Sequence, residues 1–267
     1  MKVITPKITM IELIDSHCHL DFAEFDHDRN AVVAAAKQAG VSAFVVPGIS
    51  RQQWPRLLEL AQQHAGWHLA FGLHPYFIAQ HVPADLMHLE LLLRQNPDAA
   101  VGEIGLDATC AQPALQLNLL RAQLNLAAEL QRPVILHHRK TLDTLLAEVK
   151  VIGKVQGLTG IVHAFSGSSE QAQAWADIGF KLGVGGVITY PRANKTRTAI
   201  SQAPLTSLVL ETDSPDMPLM GFQGQRNEPS RVRIVFDALC ELREESPAEI
   251  ATQLLINTQS VFPKVSI

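Results

Sequence analysis

Eight short apolar runs, each followed by a longer amphipathic stretch, constrain the fold of this chain more than any other feature. The runs fall at 11–17, 43–47, 69–73, 99–104, 133–137, 160–164, 180–184 and 207–212. Runs of this length suit strands. The stretches at 28–40, 52–64, 84–95, 113–130, 141–149, 168–178 and 193–202 read as helices, and 228–244 and 247–257 close the chain. Gly40 and Gly179 stand just past helix ends, where glycine takes the left-handed conformation cheaply. Pro229 and Pro247 suit first helical turns, and Ser168 suits an N-cap. An unbroken alternation of this kind implies a parallel sheet, most simply an α/β fold of the (β/α)8 TIM-barrel type, with a doubly wound open sheet as the alternative. Residues 11–267 then form one domain behind a loose tail over 1–10.

A barrel gathers its chemistry at the C-terminal ends of its strands. Six residues with metal-binding side chains fall at or near the ends of the apolar runs: His17, His19, Glu103, His137, His163 and Asp213. Imidazole and carboxylate together suit a divalent cation. Four histidines and two carboxylates exceed what one tetrahedral zinc needs, so two ions sharing a ligand are expected, an arrangement that activates water for hydrolysis.

Taken singly, these residues carry alternatives. Side chains two apart on a strand share a side, so His17 and His19 can reach one ion, with Asp15 a layer below as an acceptor behind them and Cys18 facing away. They could equally be incidental histidines at a strand end. Glu103 lies between Gly102 and Gly105, which leave space around it; it is a candidate bridge between cations, or else the partner of an arginine, because buried charges are seldom unpaired. His138 should face away from His137. Arg139 can bind an anionic substrate group or form a rim salt bridge. Asp213 can ligate a metal and accept a proton from attacking water, with Glu211 supporting it from below. His74 can contact substrate or hold a metal-bound water, or simply cap its loop.

Two features suit phosphate. The segment 165–169 leads into a helix whose free N–H groups favour anions. Gly183, Gly185 and Gly186 close the seventh run and let a ligand approach the backbone, with Arg192, Lys195 and Arg197 following. The GxGxxG spacing of a dinucleotide site is absent.

Bulk properties exclude several classes. With 22 basic and 26 acidic residues, the net charge of −4 rules out a whole-domain polycation mode of nucleic-acid binding. Three cysteines in a chain of 267 residues form no disulfide framework and suit a reducing cytoplasm. No apolar run is long enough to span a bilayer, and no obligate protein partner is evident.

In order along the chain stand Asp-Ser-His-Cys-His-Leu-Asp, Gly-Leu-His-Pro, Gly-Glu-Ile-Gly-Leu-Asp, Pro-Val-Ile-Leu-His, His-Ala-Phe-Ser-Gly, Glu-Thr-Asp-Ser-Pro and Arg-Asn-Glu-Pro. Together they resemble the TatD family of metal-dependent deoxyribonucleases, a branch of the amidohydrolase superfamily, over nearly the full length. The resemblance implies a TIM barrel with a binuclear centre. It implies His17, His19 and Asp213 on one metal, His137 and His163 on the other, and Glu103 shared, with Asp213 and Glu103 catalytic. It implies two divalent ions (Mg2+, Mn2+ or Zn2+) and hydrolysis of phosphodiester bonds in DNA. The chain departs from the family at three places: Asp216-Met217 where many members carry Tyr-Leu, Ala108-Thr109 where many carry an aromatic pair, and Gln225 where many carry lysine. Base-stacking and phosphate-pairing groups are lost there. Hydrolysis of a small amide or ester is therefore a second expectation, and a non-catalytic metal- or nucleic-acid-binding barrel a third.

Overall fold

The computed structural model describes residues 11–265, without the side chains of 154–156; the tail expected over 1–10 lies outside the described residues. Every apolar run supplies a strand: β1 (Leu13–Asp15), β2 (Val41–Gly48), β3 (Trp67–Phe71), β4 (Ala100–Asp107), β5 (Val134–Arg139), β6 (Gly160–Val162), β7 (Lys181–Val184) and β8 (Leu208–Leu210). Each pairs in parallel with the next, in the order β1 to β8. The ring closes just beyond the ladders, where Ser16 N–H donates to Leu210 O at 2.8 Å and Asp213 N–H donates to His17 O at 2.9 Å. The sheet is therefore a TIM barrel and not the open doubly wound alternative.

The helices are α1 (Arg29–Gln38), α2 (Trp54–Gln63), α3 (Ala84–Gln95), α4 (Pro113–Glu129), α5 (Leu142–Gln156), α6 (Ser169–Ala176), α7 (Asn194–Gln202), α8 (Val232–Leu242) and α9 (Pro247–Val261). The punctuation residues behave as their chemistry requires. Gly40 and Gly179 follow α1 and α6 at φ +95° and +82°. Ser168 caps α6 in a reciprocal box with Gln171, and Pro247 opens α9 behind a similar box between Ser246 and Glu249. Pro229 starts a single 3-10 turn that leads into α8. Two helices run longer than their apolar pattern suggested: α5 continues past Val149, and α9 continues past Asn257.

Alternate strand residues feed two separate cores. The outer layer packs strands such as Leu13, Val134, Leu136 and Val162 against the helices. The inner layer fills the barrel with Ile14, Val45, Ala70, Ala100, Ile135, Ile161 and Val209, and Val261, Phe262 and Val265 from the end of the chain join it. That apolar plug seals the N-terminal floor and leaves the opposite end of the lumen for polar groups.

Candidate metal centre

The barrel brings all six proposed metal-binding residues to its C-terminal mouth, though not all from strand ends. His17 and His19 lie past the end of β1 at Asp15, His163 directly after β6, and Asp213 three residues past β8. Glu103 stands in the middle of β4, not at its end. Its inward aim comes from a register shift between Val101 and Ile104. Before the shift Ala100 faces the lumen; after it Ile104 and Leu106 pack outward. The extra residue re-aims the carboxylate into the barrel, as bulges near active sites do. The backbone is also unusual here: Lys140, Ala164, Asp213 and Met217, at the ends of β5, β6 and β8, adopt positive φ without being glycine. Such conformations cost about 1–3 kcal/mol each and cluster at functional sites.

One group of donors is built on the first and last strands. His17 Nε2 lies 3.2 Å from His19 Nε2, 3.2 Å from Glu103 Oε2 and 3.5 Å from Asp213 Oδ1. His19 Nε2 lies 3.6 Å and 3.7 Å from the same two oxygens. The other carboxylate oxygen, Glu103 Oε1, faces His137 Nδ1 at 3.0 Å, His74 Nε2 at 3.1 Å and His163 Nε2 at 3.9 Å. Glu103 thus turns one oxygen to each donor group. His163 sits between them, stacked on His17 at 3.7 Å and 3.7 Å from Asp213.

His74 takes one of the roles open to it, the capping of its loop. Its Nδ1 accepts the Tyr76 N–H at 3.0 Å and so caps the turn after β3. A neutral imidazole with an acceptor Nδ1 carries its proton on Nε2. That N–H points at Glu103 Oε1, 3.1 Å away.

Behind the donors stand carboxylates that set their tautomers. Glu211 Oε1 lies 3.1 Å from His163 Nδ1 and accepts the Ala164 N–H at 2.7 Å, leaving His163 Nε2 for the lumen. Asp107 plays the same part for His137, with Oδ2 3.4 Å from Nε2 while Oδ1 is held by the Thr109 N–H and hydroxyl. Gln116 bonds the backbone of Asp107 in turn. Carboxylates of this kind orient ligating histidines. Asp107 was missed as a site residue; its place in Gly-Leu-Asp, four residues past Glu103, was the available signal. Asp15 accepts the His17 N–H and both the N–H and hydroxyl of Thr212, so it holds the segments of His17 and Asp213 together. Asn227 Nδ2 donates to Thr212 O and Met217 O and fixes the loop that carries Asp213.

The electrostatics follow from burial and mutual charge. Burial works against a charge on Glu103, but His74, His17 and His163 outweigh it and hold its carboxyl well below the usual range. Burial raises Asp213 to about 6 against the pull of His163 and His19. Burial lowers His17 to about 4, helped by the neighbouring His163. His163 rises to about 10 because Glu211, Asp213 and Glu103 overcome its burial.

Apart from the fully buried His17, these donors line a cavity of about 670 Å³ together with Phe22, Ile49, Tyr76, Phe77, Arg139 and Asp216. Arg139 lines the cavity and forms no ion pair among the described residues, so the rim salt bridge is absent. His138 is also among the residues that line the cavity. Gly102, Gly105, Gly183 and Gly186 each stand where a side chain would meet a neighbour. A Cβ on Gly102 would strike Ile135, and one on Gly105 would meet the His137 carbonyl at 1.9 Å. At Gly183 it would lie 2.2 Å from Glu211 Oε2, and at Gly186 it would crowd Leu219 and Met217. The capping box of α6 engages the N–H groups of Ser168 and Gln171. Arg192, Lys195 and Arg197 do not line the cavity; Arg192 lies over Tyr190, and Arg197 bonds the Ile188 carbonyl.

The donor set fits divalent cations. Glu103 and Asp213 are deeply set carboxylates whose ion-pair contacts among the described residues are all to imidazoles, with no lysine or arginine. The arginine partner considered for Glu103 is therefore not there, while buried charge still calls for a cation. His17, His19 and Asp213 present one ligand atom each within 4.8 Å, as do His17, Glu103 and His163, and His74, Glu103 and His137. Acidic groups strong enough to hold a proton on His163 would equally attract a metal, which must displace that proton.

The family model described as TatD related DNase matches residues 14–263. The chain is 47% identical over 253 residues to the uncharacterized metal-dependent hydrolase YjjV of Escherichia coli strain K12, covering 93% of this chain and 97% of that one. It is 30% identical over 261 residues to the 3'-5' ssDNA/RNA exonuclease TatD of Salmonella typhimurium, covering 95% and 100%. The crystal structure of YjjV, a TatD homologue from Escherichia coli K12, superposes with a TM-score of 0.90 at 45% identity, covering 95% of this chain and 99% of that one.

Proposed function

We propose that this chain, which belongs to the TatD-related DNase family and is a metal-dependent hydrolase, cleaves phosphodiester bonds in DNA. The observation that carries the reading is the mouth itself: imidazoles and carboxylates without a basic partner, beside one unpaired arginine. His17, His19 and Asp213 would hold one divalent ion, His137 and His163 a second, with Glu103 shared; magnesium, manganese and zinc all suit the set. Such ions supply acidity to a water molecule and neutralise charge on phosphoryl oxygens. Asp213, whose Oδ1 lies among the imidazoles of His17, His19 and His163, takes the proton of the attacking water. Arg139 stabilises the charge that develops on the phosphoryl group, and His74 offers it a fixed N–H. Glu211 and Asp107 keep His163 and His137 in the required tautomers.

The described residues include no helix long and apolar enough to cross a membrane. Residues 11–267 act as one metallohydrolase domain in the cytoplasm, a compartment that suits three free cysteines, and need no obligate protein partner. A second reading, hydrolysis of a small amide or ester, is favoured by Asp216, whose charge at the mouth disfavours a polyanion. Metal-titrated assays on single-stranded DNA beside a panel of small amides and esters separate the two. Cleavage of DNA that is lost on adding chelator is expected. Turnover confined to the panel moves the assignment to the second reading, and no turnover at all moves it to the non-catalytic barrel.

A further inference from the structure

The mouth cavity is lopsided. Segments following β1, β2 and β3 line one side with Phe22, Ile49, Tyr76 and Phe77, while the ends of β5 and β6 line the other with Arg139 and Ser166. In an eight-stranded ring these two sets face each other across the axis, with the metal donors between them. The aromatic side is continuous from rim to donors. Tyr76, 64% exposed, meets Phe77 edge to face at 5.2 Å. Phe77 meets His74 at 6.3 Å, and His74 meets His137 at 4.2 Å. On the inner flank Phe22 stacks on His19 at 4.5 Å. This shelf is also held in place: the Tyr76 N–H bonds His74 Nδ1, and the His81 ring bonds the His74 carbonyl at 2.9 Å. An aromatic ring kept in water at the edge of a cavity, on a backbone fixed by these bonds, gains little for the fold, and it is the surface a flat apolar group would cover.

We infer that the shelf is a nucleobase subsite. It takes the base of a terminal, unpaired nucleotide by stacking, while the adjoining phosphate lies between the metal donors and Arg139. The inference rests on the phosphodiester reading above. Three observations select the occupant. The cavity, at about 670 Å³, has the size of a small-ligand site and not of a duplex groove. Arg139 is its one lysine or arginine among the described residues, and Asp216 stands on the same rim, so a single phosphate is favoured over a tract of them. A base inside a duplex has both faces covered by its neighbours, so only an unpaired end can present one to Tyr76. Base–aromatic stacking is worth about 5- to 140-fold per base.

Manganese-loaded protein is assayed on a single-stranded oligonucleotide and on the same strand with abasic residues at both ends. The expected result is a kcat/KM preference for the base-bearing ends within that range, erased by Tyr76→Ala and kept by Tyr76→Phe. Equal rates on the two strands in the wild type, or a proportional loss on both in Tyr76→Ala, overturns the shelf and leaves the phosphodiester reading standing. No cleavage of either strand by the wild type overturns that reading and the shelf with it.

Discussion

The floor and the mouth of the barrel are built on the same strands and behave in opposite ways. Along β5 the inward residues are Ile135 and then His137; from β6 they are Ile161 and then His163; from β8 they are Val209 and then Glu211. One step of two residues, about 6.6 Å of strand, exchanges an aliphatic group for a titratable one. The floor is packed by Val261, Phe262 and Val265, and its contribution is burial of apolar surface. At the mouth, burial and neighbouring charge move His17 down and Asp213 and His163 up from their ordinary values. The two ends depend on each other: a dry floor keeps the local dielectric low, and charges above it act more strongly than they would in water.

If this division holds, substitutions at the two ends separate chemistry from stability. The largest effect is expected from Asp213→Asn, which should lower kcat by about 10²- to 10⁴-fold while circular dichroism reports an intact fold. Near-normal turnover would remove Asp213 from the mechanism. Phe262→Ala should do the reverse, costing about 3–5 kcal/mol in urea unfolding with kcat per folded molecule unchanged. A fall in kcat at full occupancy of the folded state would break the division, because it would mean that packing at the floor tunes the donors above. The smallest effect tests the layer between the ends. Asp107→Asn keeps the bonds from Thr109 but loses the charge behind His137, and it should weaken metal affinity about 10- to 100-fold, measured by competition with a chelating dye. Unchanged affinity would mean that Asp107 only braces the β4 turn.

Much of this arrangement was legible before any coordinates. The apolar runs located every strand to within a few residues, because a strand covered on both faces must be apolar throughout. The histidines and acids that interrupt those runs at one end stood out because buried charge is costly and needs a reason. What was misread involved neighbours rather than neighbourhoods. Gly102 and Gly105 looked like space around Glu103, and Gly183 like space for a ligand, yet each makes room for a residue on or just past an adjacent strand: Ile135, His137 and Glu211.

The amino-acid order by itself determined the number of strands, their parallel course and which side chains could serve a metal, since these follow from local periodicity and from the chemistry of each residue. Only the tertiary structure decided that Glu103 turns inward, that His74 is locked as a donor, and that Asp107 and Glu211 stand behind His137 and His163. A one-residue shift in pairing reverses which way every later side chain points. Pairings between residues tens of positions apart leave no trace in a local pattern, so those decisions belong to the closed barrel.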